Sequence, residues 1–343
     1  VSLSPSRKQS FSGRDALITI LPGIMLAVMI AAISLFIEAR FGGPVMLYAL
    51  VIGALFNPLA SKPYLATGLT VSAETILKIG VALLAVKITV IDVANLGWQA
   101  AGLVIACVLS TLVLGVAIAR LFGLKVDHSI LTAGSVAICG SSAALALASV
   151  LPQNKKTECN TIVTVIAVTS LSTLAMVLYP VITTLLGFSD RQSGLFMGVS
   201  IHNVAQVVGA GYIVSDPAGD IATIVKLMRV ACLVPVIIIV SLMFKQTGKG
   251  VANTKKPPLL PLFMVAFILI MLINSAGFIP TQVSQGLNIL SQWALVIAVA
   301  ALGVKTSVKD IVGVGMRPLL VLVSQSTVLA IFALIAISVF MAS

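Results

Sequence analysis

Charge is what this 343-residue chain has least of. Asp, Glu, Lys and Arg together make up 9% of it, against about 25% in an ordinary soluble domain. A water-soluble globule covers itself with polar side chains, and too few are present here. Soluble enzymes, nucleic-acid-binding domains and disordered hubs are therefore excluded. Cysteine is also sparse. Cys107, Cys139, Cys159 and Cys232 stand apart with no C-x-x-C, which supports neither a disulfide framework nor a zinc site. His128 and His202 are too few for a His-rich metal site, so no metal and no other cofactor is expected. No G-x-x-x-x-G-K-[ST] occurs, which excludes direct drive by ATP.

What is present is apolar. Hydrophobic residues make up 59% of the chain, the composition of an all-α polytopic membrane protein. Eleven stretches are long enough to be spans: 17–37, 43–60, 72–91, 97–121, 129–151, 159–186, 193–214, 220–244, 259–278, 285–304 and 317–341. They leave no room for a soluble domain, so 17–343 reads as one transmembrane domain. Residues 1–16, with Arg7, Lys8 and Arg14, read as a cytoplasmic N-terminal segment, and 246–258 as a flexible cytoplasmic linker. With the N-terminus inside, fourteen Lys and Arg fall in inner loops and four (Arg40, Lys87, Lys155, Lys156) in outer ones. That bias predicts a multi-pass protein of the bacterial inner membrane, N-terminus cytoplasmic and C-terminus outside. The net charge of +11 faces anionic lipid, so the bilayer is the expected partner and nucleic acid is not.

A weak repeat links 83–105 with 301–323. Val86, Lys87, Val90, Asp92 and Gly97 match Val304, Lys305, Val308, Asp310 and Gly315. A shared Lys-x₄-Asp is unusual in so charge-poor a chain. The two copies close helices that run in opposite directions, the mark of inverted-topology transporters. Repeat-related segments are expected near 72–122 and 285–341.

Two segments are poor candidates for plain helices. Residues 133–146 crowd Gly134, Ser135, Cys139, Gly140, Ser141 and Ser142 into one membrane stretch. Glycine favours unwinding, and serine can satisfy the freed backbone. A broken helix would aim a positive half-dipole inward and attract an anion. Residues 198–211 place Ser200, His202, Asn203 and Gln206 in an apolar run, followed by Gly209 and Gly211. Facing lipid, those four would be costly, so they must face protein or water. Tight small-residue packing and a ligand-free hydrogen-bond cluster are the plain alternatives.

Glu74, Lys78, Lys226 and Arg229 are the charges left inside spans. Glu74 and Lys78, at i and i+4, suggest a helical ion pair. Lys226 and Arg229 share a helix face with no acid nearby in sequence. A buried cation without a partner is expensive, so something anionic should meet them. No Asp lies mid-span, and this inventory suits an oxyanion better than a cation.

The stretches GSVAICGSSAA, SIHNVAQVVGAG, IVKLMRV (224–230) and AALGVKTSVKDI (300–311) together resemble the YeiH-type family of sulfate exporters, bacterial inner-membrane proteins; the resemblance covers about 17–340. It also extends distantly to cation:proton antiporters and bile-acid symporters. That kinship implies panel and core subdomains, two discontinuous helices crossing at the substrate site, elevator-like alternating access, and a homodimer by analogy. Two features depart from the pattern. Asn203 stands where the resemblance leads one to expect Asp or Glu, leaving His202, or Glu74, to carry any coupling proton. The two motif segments, as fifth and seventh spans, also run parallel, whereas inversion-related helices run antiparallel. A miscounted span, a re-entrant hairpin or a permuted repeat would each resolve this.

The expectation is a secondary transporter or exporter of a small inorganic or sulfonate anion, and not an enzyme. Its site would comprise Gly134, Ser135, Cys139, Gly140, Ser141, Ser142, Ser200, His202, Asn203 and Gln206, with Lys226 and Arg229 supplying charge. Inside-negative potential would drive a divalent anion outward by about 2.3 kcal/mol per charge per 100 mV. A passive anion channel shares these residues. An intramembrane hydrolase would need Ser141 or Ser142 beside His202.

Overall fold

A computed structural model describes residues 13–152, 154–246, 261–306 and 316–340. The first twelve residues, the 246–258 linker beyond Gln246, and the repeat positions Val308, Asp310 and Gly315 lie outside them. Every regular element among the described residues is helical. Among the described residues seven helices are long and apolar enough to cross a membrane, against the eleven spans expected from hydropathy.

The long helices are α1 (Gly13–Phe41), α3 (Pro63–Lys87), α5 (Gly97–Leu121), α8 (Lys155–Leu185), α11 with α12 (Asp216–Ala231 and Leu233–Gln246), α14 (Thr281–Lys305) and α15 (Met316–Phe340). Shorter helices lie between them: α2 (Val45–Leu55), α4 (Val90–Asn95), α6 (Val126–Ala137), α7 (Ser141–Val150), α9 (Asp190–Ser200), α10 (Val204–Val214) and α13 (Leu262–Ser275). Local chemistry sets many of the boundaries. Pro63 opens α3, where its missing N–H costs nothing; this moves the start of that span back from 72. Asn154 caps α8 through Thr157 N, and Ser189 with Gln192 forms a capping box on α9. Thr89 and Asp92 do the same for α4, so Asp92 of the repeat motif is spent on a cap.

The helices sort into two bundles by what they pack against. In one, α1, α2, α3, α13 and α14 pack on each other. Gly53 of α2 and Gly303 of α14 bring two backbones together so closely that a Cβ on either would strike the other helix. Helices α3 and α14, which carry the repeat, lie antiparallel: Ser291 Oγ donates to Gly80 O at 2.7 Å, and Lys305 Nζ to Thr70 Oγ1 at 3.1 Å. The other bundle gathers α5, α6, α7, α8, α9, α10, α11, α12 and α15.

Both segments expected to break do break, and each folds back on itself. A Cβ on Gly134 of α6 would run into Leu147 of α7. Thirteen residues of continuous helix would hold those positions about 20 Å apart, so the chain has folded back on itself. Leu131, Leu147 and Leu151 share one apolar cluster for the same reason. The second segment folds back too. Ser215, after α10, donates its hydroxyl to Asp190 at the start of α9 at 2.8 Å. Gly194 and Gly198 of α9 then pack in rising order along α11, against Ile221 and Val225, while Gly211 of α10 meets Gly219. The two hairpins are joined by the single helix α8, so they enter from opposite ends of it. Each motif thus folds back as a hairpin, the arrangement that the re-entrant alternative requires.

Candidate functional site

The two hairpin tips meet. Ile138–Gly140 forms one and Ile201–Asn203 the other. Gly140 has φ +64°, and a Cβ there would overlap Asn203 Oδ1. A positive φ together with that close approach explains why glycine stands at the turn. Asn203 Oδ1 accepts from Ser141 N at 3.1 Å and from Ser141 Oγ at 3.3 Å, fastening tip to tip. Asn203 N donates to Ser172 Oγ at 3.0 Å and its Nδ2 to Thr169 Oγ1 at 3.4 Å, while Gln206 Nε2 donates to Thr173 Oγ1 at 3.3 Å. All three partners lie near the midpoint of α8, a helix about 46 Å long at 1.5 Å per residue. The tips therefore meet about halfway along it.

A cavity of about 650 Å³ opens beside the tips, between the two bundles. Cys139, Ser141, Ser142, Asn203 and Gln206 face it from the tips, and Thr169, Ser170 and Thr173 from α8. Glu74, Lys78 and Lys305 line the opposite wall. The first turns of α7 and α10 thus present two positive half-helix ends to one space. Gln206 is buried, and its Oε1 has no protein partner. Glu74 sits in a π-turn, Ser72–Ile76, inside α3; such turns recur at functional sites.

Other candidates are placed elsewhere. Gly134 packs under Leu147. The Ser135 and Ser200 hydroxyls turn back on their own helices, to Leu131 O and Phe196 O. His202 points away from the cavity and pairs through Nε2 with Ser326 Oγ of α15 at 2.8 Å. No hydrogen bond joins Ser141 or Ser142 to His202 among the described residues. Glu74 and Lys78 do not approach within 4 Å; the ion pair found among the described residues is Lys87–Asp220 at 2.8 Å. No group of His, Cys, Asp or Glu there could hold a metal ion.

Lys226 and Arg229 are wholly buried and find their negative partner in backbone. Lys226 Nζ donates to Ile138 O at 2.8 Å and Ile201 O at 2.9 Å. Arg229 Nε donates to Ala137 O at 2.6 Å, Nη1 to Ile201 O at 3.1 Å, and Nη2 to Val136 O. These carbonyls end α6 and α9, where helices leave acceptors unpaired and carry partial negative charge. The expected anion for these cations is thus a pair of helix C-termini, and the two side chains are not on the cavity wall. The buried polar groups among the described residues include these two cations and no carboxylate.

Sequence reading missed the α8 hydroxyls. The run Thr169-Ser170-Leu171-Ser172-Thr173 in an apolar helix was the available signal. It passes for helix-compatible back-bonding, since Ser170 and Thr173 also bond the carbonyls four residues earlier.

Comparison with known sequences places the chain. A family model described as conserved hypothetical protein 698 matches residues 22–322. The chain belongs to that family. It is 43% identical to a UPF0324 membrane protein of Chlorobaculum tepidum, over 91% of this chain and 88% of the relative. It is 43% identical to the UPF0324 membrane protein TauZ of Paracoccus denitrificans, over 93% and 95%, and 41% identical to a Rhizobium meliloti relative, over 97% and 96%. These memberships agree with the resemblance to YeiH-type membrane proteins. No solved structure matches.

Proposed function

We propose that the protein is a secondary transporter of small anions, of the sulfate, sulfite or sulfonate kind, working by alternating access at the hairpin tips. The observation that carries this is the meeting, beside one cavity, of two half-helix N-termini with no buried carboxylate among the described residues, the one acid of the lining, Glu74, lying on the far wall with Lys78 and Lys305. Hydroxyl and amide groups of Ser141, Ser142, Thr169, Thr173, Asn203 and Gln206 surround that point, most of them bonded to one another. A cavity of about 650 Å³ also accommodates an anion with an organic tail.

Sidedness follows from charge. With α2 and α13 taken as short crossings and both hairpins as re-entrant, the N-terminus remains inside and the C-terminus outside. Lys155 and Lys156 then join the inner set and Arg191 the outer. Inner Lys and Arg number fifteen against three outside, Arg40, Lys87 and Arg191. The bias is stronger than with eleven crossings. Hairpins entering from opposite faces, and antiparallel α3 and α14, also support an inverted repeat. On this topology the cavity, walled by Lys305, Pro261 and Phe263, opens toward the cytoplasm.

The test is solid-supported-membrane electrophysiology on proteoliposomes, with concentration jumps of sulfate, sulfite, methanesulfonate and taurine, backed by isotope flux for electroneutral exchange. The expected result is a saturable signal for at least one anion, reduced at least tenfold in Gln206→Ala. Silence in both assays would overturn the reading.

A further inference from the structure

Two carbonyl oxygens, of Ile138 and Ile201, converge from two hairpins on one buried point, with Val136 O and Ala137 O beside them. Unwound carbonyls and half-helix C-termini are what transporters use to bind a coupling sodium ion. Here the point is filled by the chain itself. Lys226 and Arg229 reach it from α11 and make five hydrogen bonds to those four oxygens. Both side chains are wholly buried, and neither has a carboxylate within 4 Å among the described residues. Among the described residues, the groups that meet their charge are the carbonyl ends of α6 and α9. Those ends come from hairpins entering from opposite sides, so one pair of cations bonds both tips in the same place.

We infer that Lys226 and Arg229 are tethered cations standing where a coupling metal ion would otherwise bind, so that anion movement needs no sodium. The inference rests on the transport reading. A mobile ion holds the tips only while bound, and so links its own gradient to transport. A cation fixed to α11 supplies the same compensation permanently. It contributes no gradient, and the anion moves on its own gradient, by exchange, or on the membrane potential.

The test measures anion-induced thermal stabilisation of the detergent-purified protein, titrating the anion identified by flux at constant ionic strength in sodium, potassium or choline chloride. Half-saturation should agree within twofold in all three. Binding at least tenfold tighter in sodium would overturn the inference while leaving the transport reading intact. Failure of every anion to stabilise in any cation would count against the transport reading, and the inference would fall with it. A second arm uses Lys226→Ala, which frees Ile138 O and leaves Ile201 O to Arg229 alone. Sodium should raise the melting temperature of this variant above its value in choline, and should not do so for the wild type. A folded variant indifferent to sodium would count against a cation-shaped site. Should it not fold, the wild-type titration decides.

Discussion

Asn203 does more at the site than any other single residue. Its carbonyl oxygen accepts from Ser141, its backbone and amide nitrogens reach Ser172 and Thr169, and its own C=O accepts from Val207 N in the first turn of α10. An aspartate would keep the acceptor role toward Ser141 and lose the donor toward Thr169. It would also place a titratable charge between two half-helix N-termini. In Asn203→Asp, anion flux should become pH-dependent. The ionised carboxylate repels the anion at high pH, and protonation relieves this, so flux should rise as pH falls. A flux with the same flat pH profile as the wild type would show that the anion does not pass Asn203. His202 illustrates the opposite case. It was the attractive proton carrier by residue type, yet its ring lies behind the tip against Ser326, away from the cavity.

At the scale of elements, the hairpins depend on turns that only certain residues can make. Gly140 needs a left-handed φ, and Asn203 occupies the space a side chain would need. Gly97 has a similar φ of 75°, and nothing lies within 4 Å of where its Cβ would stand. Gly140 has in addition a ψ of −121°, outside the left-handed well that other residues can enter, so strain and crowding add there. Gly97→Ala should cost about 1 kcal/mol for backbone strain alone. Gly140→Ala should cost about 2 to 4 kcal/mol, since the tip-to-tip contact must also give way. Melting temperatures in one detergent would check the order, and equal losses would refute the crowding argument. The carbonyl ends of α6 and α9 have a similar dependence on α11. Their acceptors are buried in the protein, where water cannot replace a lost donor.

For the whole molecule, two contacts between the bundles matter. The cavity lies on one side of the tips. On the other, Lys87 at the end of α3 pairs with Asp220 of α11 at 2.8 Å, and Tyr212 of α10 donates to the same carboxylate. The Lys87 ammonium also sits 5.3 Å from the Tyr212 ring centre. This cluster ties one bundle to the hairpin of the other on the side away from the cavity. If alternating access separates the bundles there, Asp220→Ala should favour the opposite state. Labelling of Ser142→Cys by an impermeant maleimide added from outside should rise severalfold in that background, against the same cysteine with Asp220 present. Unchanged labelling would show that the pair does not govern opening.

Much of this was legible in residue order. The membrane class follows because each apolar residue contributes its transfer free energy independently of its neighbours in space. Gly134–Ser142 and Ser200–Gln206 stood out because polar and flexible residues in a span need a local explanation. The fold-back was not legible, since a run of about 24 apolar residues has the same hydropathy whether it crosses or returns. What decides is Leu147 seating on Gly134, and Ser215 reaching Asp190. Nor could sequence show what satisfies Lys226 and Arg229. Their acceptors are backbone carbonyls, which every residue carries, and those on α6 lie 88 to 93 positions away. Only the tertiary structure, by bringing two helix ends to one point, makes those carbonyls a site.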